Sequence, residues 1–191
     1  MPKVIQGKPV DRRIQRTRET LRNAFLGLLL EQDWDAIRVQ DICEKANVGR
    51  STFYSHFVDK EGLLVGGMVE LGEHIKARYG IAPERPVLWF ARGIIDHACE
   101  NQVLFRALLG KRSGEVVQKR FRQLAVDLAR DCLKARGMSG IVLEATSRYL
   151  GAGFMELLCW WLEVQRKMGA DEFEAMFQKM AASALESVAK V

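Results

Sequence analysis

The stretch from Val39 to Phe57, VQDICEKANVGRSTFYSHF, constrains this chain more than any other. Its spacing predicts two short helices joined by a tight turn. Val39, Ile42 and Ala46 fall three and four apart, on one helical face. Asn47-Val48-Gly49 interrupts the pattern: Asn tolerates left-handed backbone, and Gly49 can take angles closed to other residues. The second helix starts near Arg50, and Phe53 and Phe57, four apart, plug into a small core. Around its outside lie Arg50, Ser51, Thr52, Tyr54, Ser55 and His56. A cation, hydroxyls, a phenol and an imidazole on one exposed face suit phosphate oxygens and base edges.

Charge placement points the same way. Residues 1–30 hold seven Lys or Arg against Asp11 and Glu19, which accounts for the whole formal charge of +5. A basic leader beside two short helices implies a polyanionic partner. Taken by itself, such a run more commonly means a solvated helix face. The chain has 191 residues, enough for one or two ordinary cores, and its 48% hydrophobic and 28% charged content is that of a soluble globular protein. No signal peptide is expected, because the N-terminus lacks an apolar core, and LGLLL at 26–30 is far too short to span a bilayer. A cytoplasmic location with no membrane partner follows as the expectation. Cys43, Cys99, Cys132 and Cys159 are scattered, without metal-ligand spacing, and each falls in an apolar helical pattern, so reduced buried thiols are expected. No phosphate-binding glycine loop, nucleophile motif or acid/base constellation is present, so neither an enzyme nor a bound metal or cofactor is expected.

In chain order, residues 1–11 read as a flexible arm and a first helix runs from Arg12 to about Gln32, with Ile14, Leu21, Phe25 and Leu28 as its stripe. Arg16, Thr17 and Arg18 stand near its start, where free backbone N–H groups favour an anion. Trp34 and Ile37 join the same small core. After the motif, Asp59 is placed to cap a helix that continues to about Tyr79. Lys60, at that helix start, is expected on the same surface as Tyr54 and His56. Two prolines within Ile81–Pro86 mark a boundary, and beyond it every pattern is helical. Further helices are marked by Val87 to Ala98, Val103 to Leu109, Val117 to Leu128, Leu150 to Val164 and Phe173 to Val188.

The run GRSTFYSHFVDKEGLL resembles the signature of the TetR family of transcriptional repressors, and the likeness covers about residues 12–72. Where that family often has Thr capping the first motif helix, this chain has Arg38. The resemblance implies an all-α chain: an N-terminal three-helix helix-turn-helix domain at 12–72, with its motif at 38–57, joined by a long helix to a C-terminal regulatory and dimerisation domain at 80–191. It also implies contact with duplex DNA, at a palindromic operator, by a homodimer. The DNA-contacting set is expected to be Arg16, Thr17, Arg38, Arg50, Ser51, Thr52, Tyr54, His56 and Lys60.

Two expectations concern the C-terminal part. The last two helices carry more apolar and small residues than one core face needs, and such a surplus must be covered. Leu157, Trp160, Phe177, Ala181 and Ala184 are the expected pairing residues, on helices that the resemblance also implicates in dimerisation. The resemblance further implies a small effector in the C-terminal domain. Met68, Trp89, Phe90, Phe105, Phe121, Phe154, Met155 and Trp161 could line a pocket for it, although aromatic and Met residues at helical spacing are more often plain core. Their apolar character and the nearby Arg92, Arg106 and Arg120 suggest a hydrophobic, weakly anionic compound. The competing interpretation is a helical interaction protein with a vestigial helix-turn-helix.

Overall fold

A computed structural model describes residues 12–80, 86–109, 114–164 and 167–188. The expected arm at 1–11 and most of the proline boundary, at 81–85, lie outside the described residues. Among the described residues every regular element is helical: α1 (Arg12–Glu31), a 3₁₀ turn (Trp34–Ala36), α2 (Val39–Ala46), α3 (Arg50–His56), α4 (Lys60–Tyr79), α5 (Phe90–Glu100), α6 (Gln102–Leu109), α7 (Gly114–Lys134), α8 (Gly140–Val164) and α9 (Ala170–Val188). The chain forms two compact units, Met1–Leu64 and Val65–Val191.

In the first unit, Leu21, Phe25, Leu28 and Leu29 of α1 are buried with Ile42 and Ala46 of α2, Phe53 of α3, and Phe57, Leu63 and Leu64. Ile14, expected in the α1 stripe, is 45% exposed, because the core begins about two turns later, at Leu21. Trp34 is half-buried, its ring edge-on to Phe25 at 5.7 Å. The turn after α2 is a Schellman motif. Asn47 is left-handed (φ 52°), its N–H reaches the Glu44 carbonyl at 3.1 Å, and the Val48 N–H reaches the Cys43 carbonyl at 3.0 Å. Asn47 alone makes the left-handed step. Gly49, which can take angles closed to other residues, caps α3 with ordinary extended backbone (φ −71°, ψ 150°). Asp59 caps α4: its Oδ1 accepts from the Gly62 N–H at 2.7 Å.

In the second unit, α7 and α8 form the most extensive helix pair, antiparallel, with Arg130 bonded to Glu144 at one level and Val126 beside Gly151 at another. They are joined through Gly137 (φ 86°), which ends α7 in a second Schellman turn: Gly137 N–H to Lys134 O and Met138 N–H to Leu133 O. A Cβ on Gly151 would stand 2.6 Å from the Val126 backbone, so only glycine permits this approach. α8 begins at Gly140, ten residues before the first residue of its apolar stripe, Leu150. Its first turns bury Leu143, Thr146 and Ser147 while leaving Ile141, Val142 and Tyr149 exposed, which blurs the periodicity. An aromatic cluster fills the space between α5, α8 and α9: Phe154 meets Phe90 at 5.4 Å and Phe177 at 4.8 Å, and Trp161 stacks on Phe173 at 4.9 Å. The Trp161 indole N–H donates to the Met168 carbonyl at 3.0 Å, so the deepest polar hydrogen of the cluster has its acceptor.

This packing corrects two of the expected pairing residues. Phe177 and Ala181 are 3% and 2% exposed, turned into their own chain's core four residues apart on α9. Leu157 and Ala184 are half-buried, and only Trp160 of the five is openly exposed, at 45%. All four cysteines are free thiols. Cys43 and Cys132 are buried as expected, whereas Cys99 and Cys159 are only partly covered.

Candidate nucleic-acid interface

α3 is short, and what orients it is the burial of Phe53 and Phe57, whose rings lie 5.8 Å apart. With those two inward, helical geometry turns Arg50, Ser51, Tyr54 and Ser55 outward, and all four are exposed. Thr52 and His56 are half-buried at the edges of the same face. The Ser55 hydroxyl donates to the Thr52 carbonyl at 2.7 Å, leaving its lone pairs as acceptors. Tyr54 packs edge-on to Phe53 at 5.5 Å, so its phenol is braced by the core while the ring stays half exposed.

The start of α1 presents Arg12, Arg13 and Arg16 to solvent, with Thr17 half-buried and its hydroxyl donating to the Arg13 carbonyl at 3.0 Å. One turn on, the Arg18 guanidinium lies over the Phe57 ring, 5.1 Å from its centroid. That contact joins α1 to the residue closing α3. Arg18 stands outside the expected contacting set, and nothing local in the sequence announces a contact between residues so far apart.

Arg38 caps α2, but not as a hydroxyl would, since a guanidinium carries no acceptor for the free helix N–H groups. The carboxylate of Asp41, three residues on, does the capping instead. It accepts from the Arg38 backbone N–H at 2.8 Å and from the Arg38 Nε and Nη2 at 3.2 and 2.8 Å. The paired guanidinium holds the Asp41 carboxyl below the usual carboxylate range, and the same pairing raises Arg38. The Arg38 side chain remains 74% exposed, so its other donors face solvent.

Lys60 is placed differently from its neighbours in the expected set. It is half-buried, and its ammonium donates to the Trp34 and Ile37 carbonyls at 2.5 and 2.8 Å. The sequence did predict its place at the start of α4; the carbonyl partners, more than twenty residues back, it did not.

In the second unit the expected pocket residues separate into two groups. Phe105, Phe121 and Met155 line an apolar recess of about 30 Å³, together with Leu104, Val117, Gln118 and Cys159. Trp89, Phe90, Phe154 and Trp161 are buried but do not line it, because Phe90, Phe154 and Trp161 pack against other rings in the cluster between α5, α8 and α9. Met68 is half-buried on α4 and does not line it either. Beside the recess, His97 stacks on Phe121 and meets Phe105 edge-on, both at 6.0 Å, and burial lowers its pKa from the usual histidine value. Arg92 is no free cation: it is ion-paired with Asp96, Asp171 and Glu174. Among the described residues no cluster of side chains could hold a metal, and no helix is long and apolar enough to cross a membrane.

Residues 23–65 match the family described as bacterial regulatory proteins, tetR family. The chain is 52% identical over 58 residues to an uncharacterized HTH-type transcriptional regulator, YxbF, of Bacillus subtilis (strain 168). That alignment takes in 30% of this chain and spans only 15% of the relative's length. Among solved structures it is similar to a TetR transcriptional regulator from Streptococcus agalactiae 2603V, with 30% identity, a TM-score of 0.62, and coverage of 90% of this chain and 96% of the other. NalD, the secondary repressor of the MexAB-OprM multidrug efflux pump in Pseudomonas aeruginosa, shares the fold at 19% identity, with a TM-score of 0.58 over 91% of this chain and 97% of that one. A structure matched over nearly its whole length, and a family model lying on the very helices that turn Arg50, Ser51 and Tyr54 outward, lead to one conclusion: the chain belongs to the tetR family of bacterial regulatory proteins.

Proposed function

We propose that this protein is a transcriptional repressor that binds a palindromic operator as a homodimer and releases it when a small hydrophobic effector binds. Residues 12–72 act as the DNA-binding module and 80–191 as the regulatory and pairing module. The observation that carries the reading is the outer face of α3, where Arg50, Ser51 and Tyr54 are exposed together over a core fixed by Phe53 and Phe57. In a helix-turn-helix the first residues of the second helix reach base edges. Arg50, Ser51 and Thr52 therefore read sequence, while Arg16, Thr17, Arg38, Tyr54 and His56 hold phosphates.

One such helix covers too little DNA for tight specific binding, which calls for two copies reading successive major grooves about 34 Å apart. Support for pairing comes from α8, where Val142, Tyr149 and Trp160 fall seven and eleven apart and are exposed on one face. Tyr149, 68% exposed, is the most open of the three. The test is selection of bound duplexes from a random pool by the full chain. A palindromic consensus with half-sites about one helical turn apart is the expected result. Retention of no duplex would leave the competing interpretation, a helical interaction protein.

A further inference from the structure

We propose that Lys60 is a positioning residue for DNA binding, acting through Arg38, and does not itself hold a phosphate. The proposal rests on the DNA-binding reading above. An ammonium has three protons and no acceptor. At Lys60 two of them go to the carbonyls of Trp34 and Ile37, at 2.5 and 2.8 Å, and the charge also lies 5.0 Å from the centroid of the Trp34 ring. The two backbone oxygens take two of these protons, and the Trp34 ring face attracts the charge without accepting a proton at that distance. The ammonium is thus committed to the backbone that leads into α2.

The Ile37 carbonyl belongs to the peptide unit that also contains the Arg38 N–H. That plane is gripped on both edges: its C=O accepts from Lys60, and its N–H donates to Asp41 Oδ2 at 2.8 Å. Since the peptide is rigid, holding both edges fixes the direction in which the chain enters α2. Asp41 then holds the Arg38 guanidinium through Nε and Nη2, with the rest of that side chain in solvent. The sequence of constraints runs from Lys60 through the Ile37–Arg38 peptide to an oriented guanidinium. Arg38 neutralises the phosphate, and Lys60 determines where Arg38 stands.

The experiment measures binding to a mixed-sequence duplex of about three helical turns as a function of salt. The proteins are the full chain, Lys60→Met, Arg38→Gln and the double variant. Met keeps an apolar stem over Trp34 and removes the charge. Lys60→Met is expected to weaken binding roughly tenfold with the salt slope unchanged. Arg38→Gln is expected to make the slope shallower by about one ion, and adding Lys60→Met to it should cost little more. A slope that falls by about one ion in Lys60→Met, or costs that simply add, would overturn the proposal while leaving the DNA reading intact. Failure of the wild-type chain to bind any duplex would overturn the DNA reading, and this proposal with it. Should Lys60→Met not fold, nitrogen-15 NMR of the wild-type chain decides. An ammonium signal for Lys60 that is protected without DNA and unmoved by the duplex supports the positioning role, and one that shifts on DNA binding rejects it.

Discussion

The hydroxyl of Tyr79, in the last turn of α4, donates to Asp96 Oδ2 on α5 at 2.5 Å. The other oxygen of that carboxylate pairs with Arg92 Nε at 2.9 Å, and Arg92 reaches on to Asp171 and Glu174 of α9. Three helices of the second unit are thus held at one polar junction. Burial first, and the bond to Asp96 second, push the Tyr79 phenol up to about 12. An ionised phenol there would lose its donor and face a carboxylate.

The sign of the resulting pH dependence is fixed. A phenol raised from 10.0 to about 12 in the folded chain contributes stability that is fully present below pH ~10 and lost as pH rises through ~12. Tyr79→Phe should cost about 1.5–3 kcal/mol at neutral pH, the range for a hydrogen bond to a charged group. It should also remove the part of the alkaline destabilisation that belongs to this window. Urea midpoints of both proteins at neutral pH and between pH ~10 and ~12 provide the check, and a wild-type minus variant difference that stays flat with pH would reject the assignment.

Gly151 and Phe154 define a second prediction, one turn of α8 apart. A methyl at Gly151 meets the Val126 backbone at 2.6 Å, where no side chain can swing aside, so Gly151→Ala should destabilise by about 1–3 kcal/mol or more despite its better helix propensity. Phe154→Ala empties the centre of the aromatic cluster and should cost about 3–5 kcal/mol. If Gly151→Ala raised the melting temperature instead, α7 and α8 would not approach as closely as described.

Much of this was readable from the sequence, and the exceptions share a cause. Periodicity located the turn at Asn47, the cap at Asp59 and the inward pair Phe53 and Phe57, because each depends on residues a few positions away. The outward set on α3 followed from the same pair. What escaped depends on contacts across long stretches of chain: Lys60 with Trp34 and Ile37, Arg18 over Phe57, Arg92 with Asp171. An amphipathic stripe says which face is apolar but not which neighbour covers it. Phe177 and Ala181 therefore looked available for pairing although their own chain covers them. In the same way, Phe90 and Phe154 read as pocket lining because a wall and a filled core have the same composition.

The burial contrast between Trp160 and Ala181 gives a third prediction. Trp160 is half exposed on α8, and Trp160→Arg should leave the helical content and urea midpoint of the monomer near wild-type while shifting the chain to monomer in sedimentation. Ala181→Arg forces a charge into a core with no partner and should unfold the second unit. A folded Ala181→Arg monomer, or a Trp160→Arg chain that still sediments as a dimer, would place the interface elsewhere.

The recess beside Phe105 and Phe121 leads to the last prediction. At about 30 Å³ it has space on the scale of a water molecule, so an effector of several heavy atoms must open it. Opening costs free energy, and a ligand shifts the protein only by its differential affinity for the open form. The walls are the side chains of Leu104, Phe105, Val117, Phe121, Met155 and Cys159, with Gln118 the one amide. Of the arginines that suggest an anionic ligand, Arg92 is occupied by three carboxylates, and neither Arg106 nor Arg120 is among the described residues lining the recess. Neutral aromatic or aliphatic molecules should therefore bind at least about tenfold more tightly than carboxylates of the same size, since a charge buried there has no partner. Cys159→Trp, which fills the recess, should abolish that binding and leave DNA affinity in place. If the recess regulates DNA binding, a coupling of about 1–3 kcal/mol weakens operator affinity ~5- to 150-fold, and operator must weaken the ligand by the same factor. Titrating a neutral and an anionic ligand series by tryptophan fluorescence, with and without selected operator, measures both sides of that equality. Equal ligand affinity in the two conditions would remove the recess from the switch, and preference for the carboxylates would move the site away from these walls.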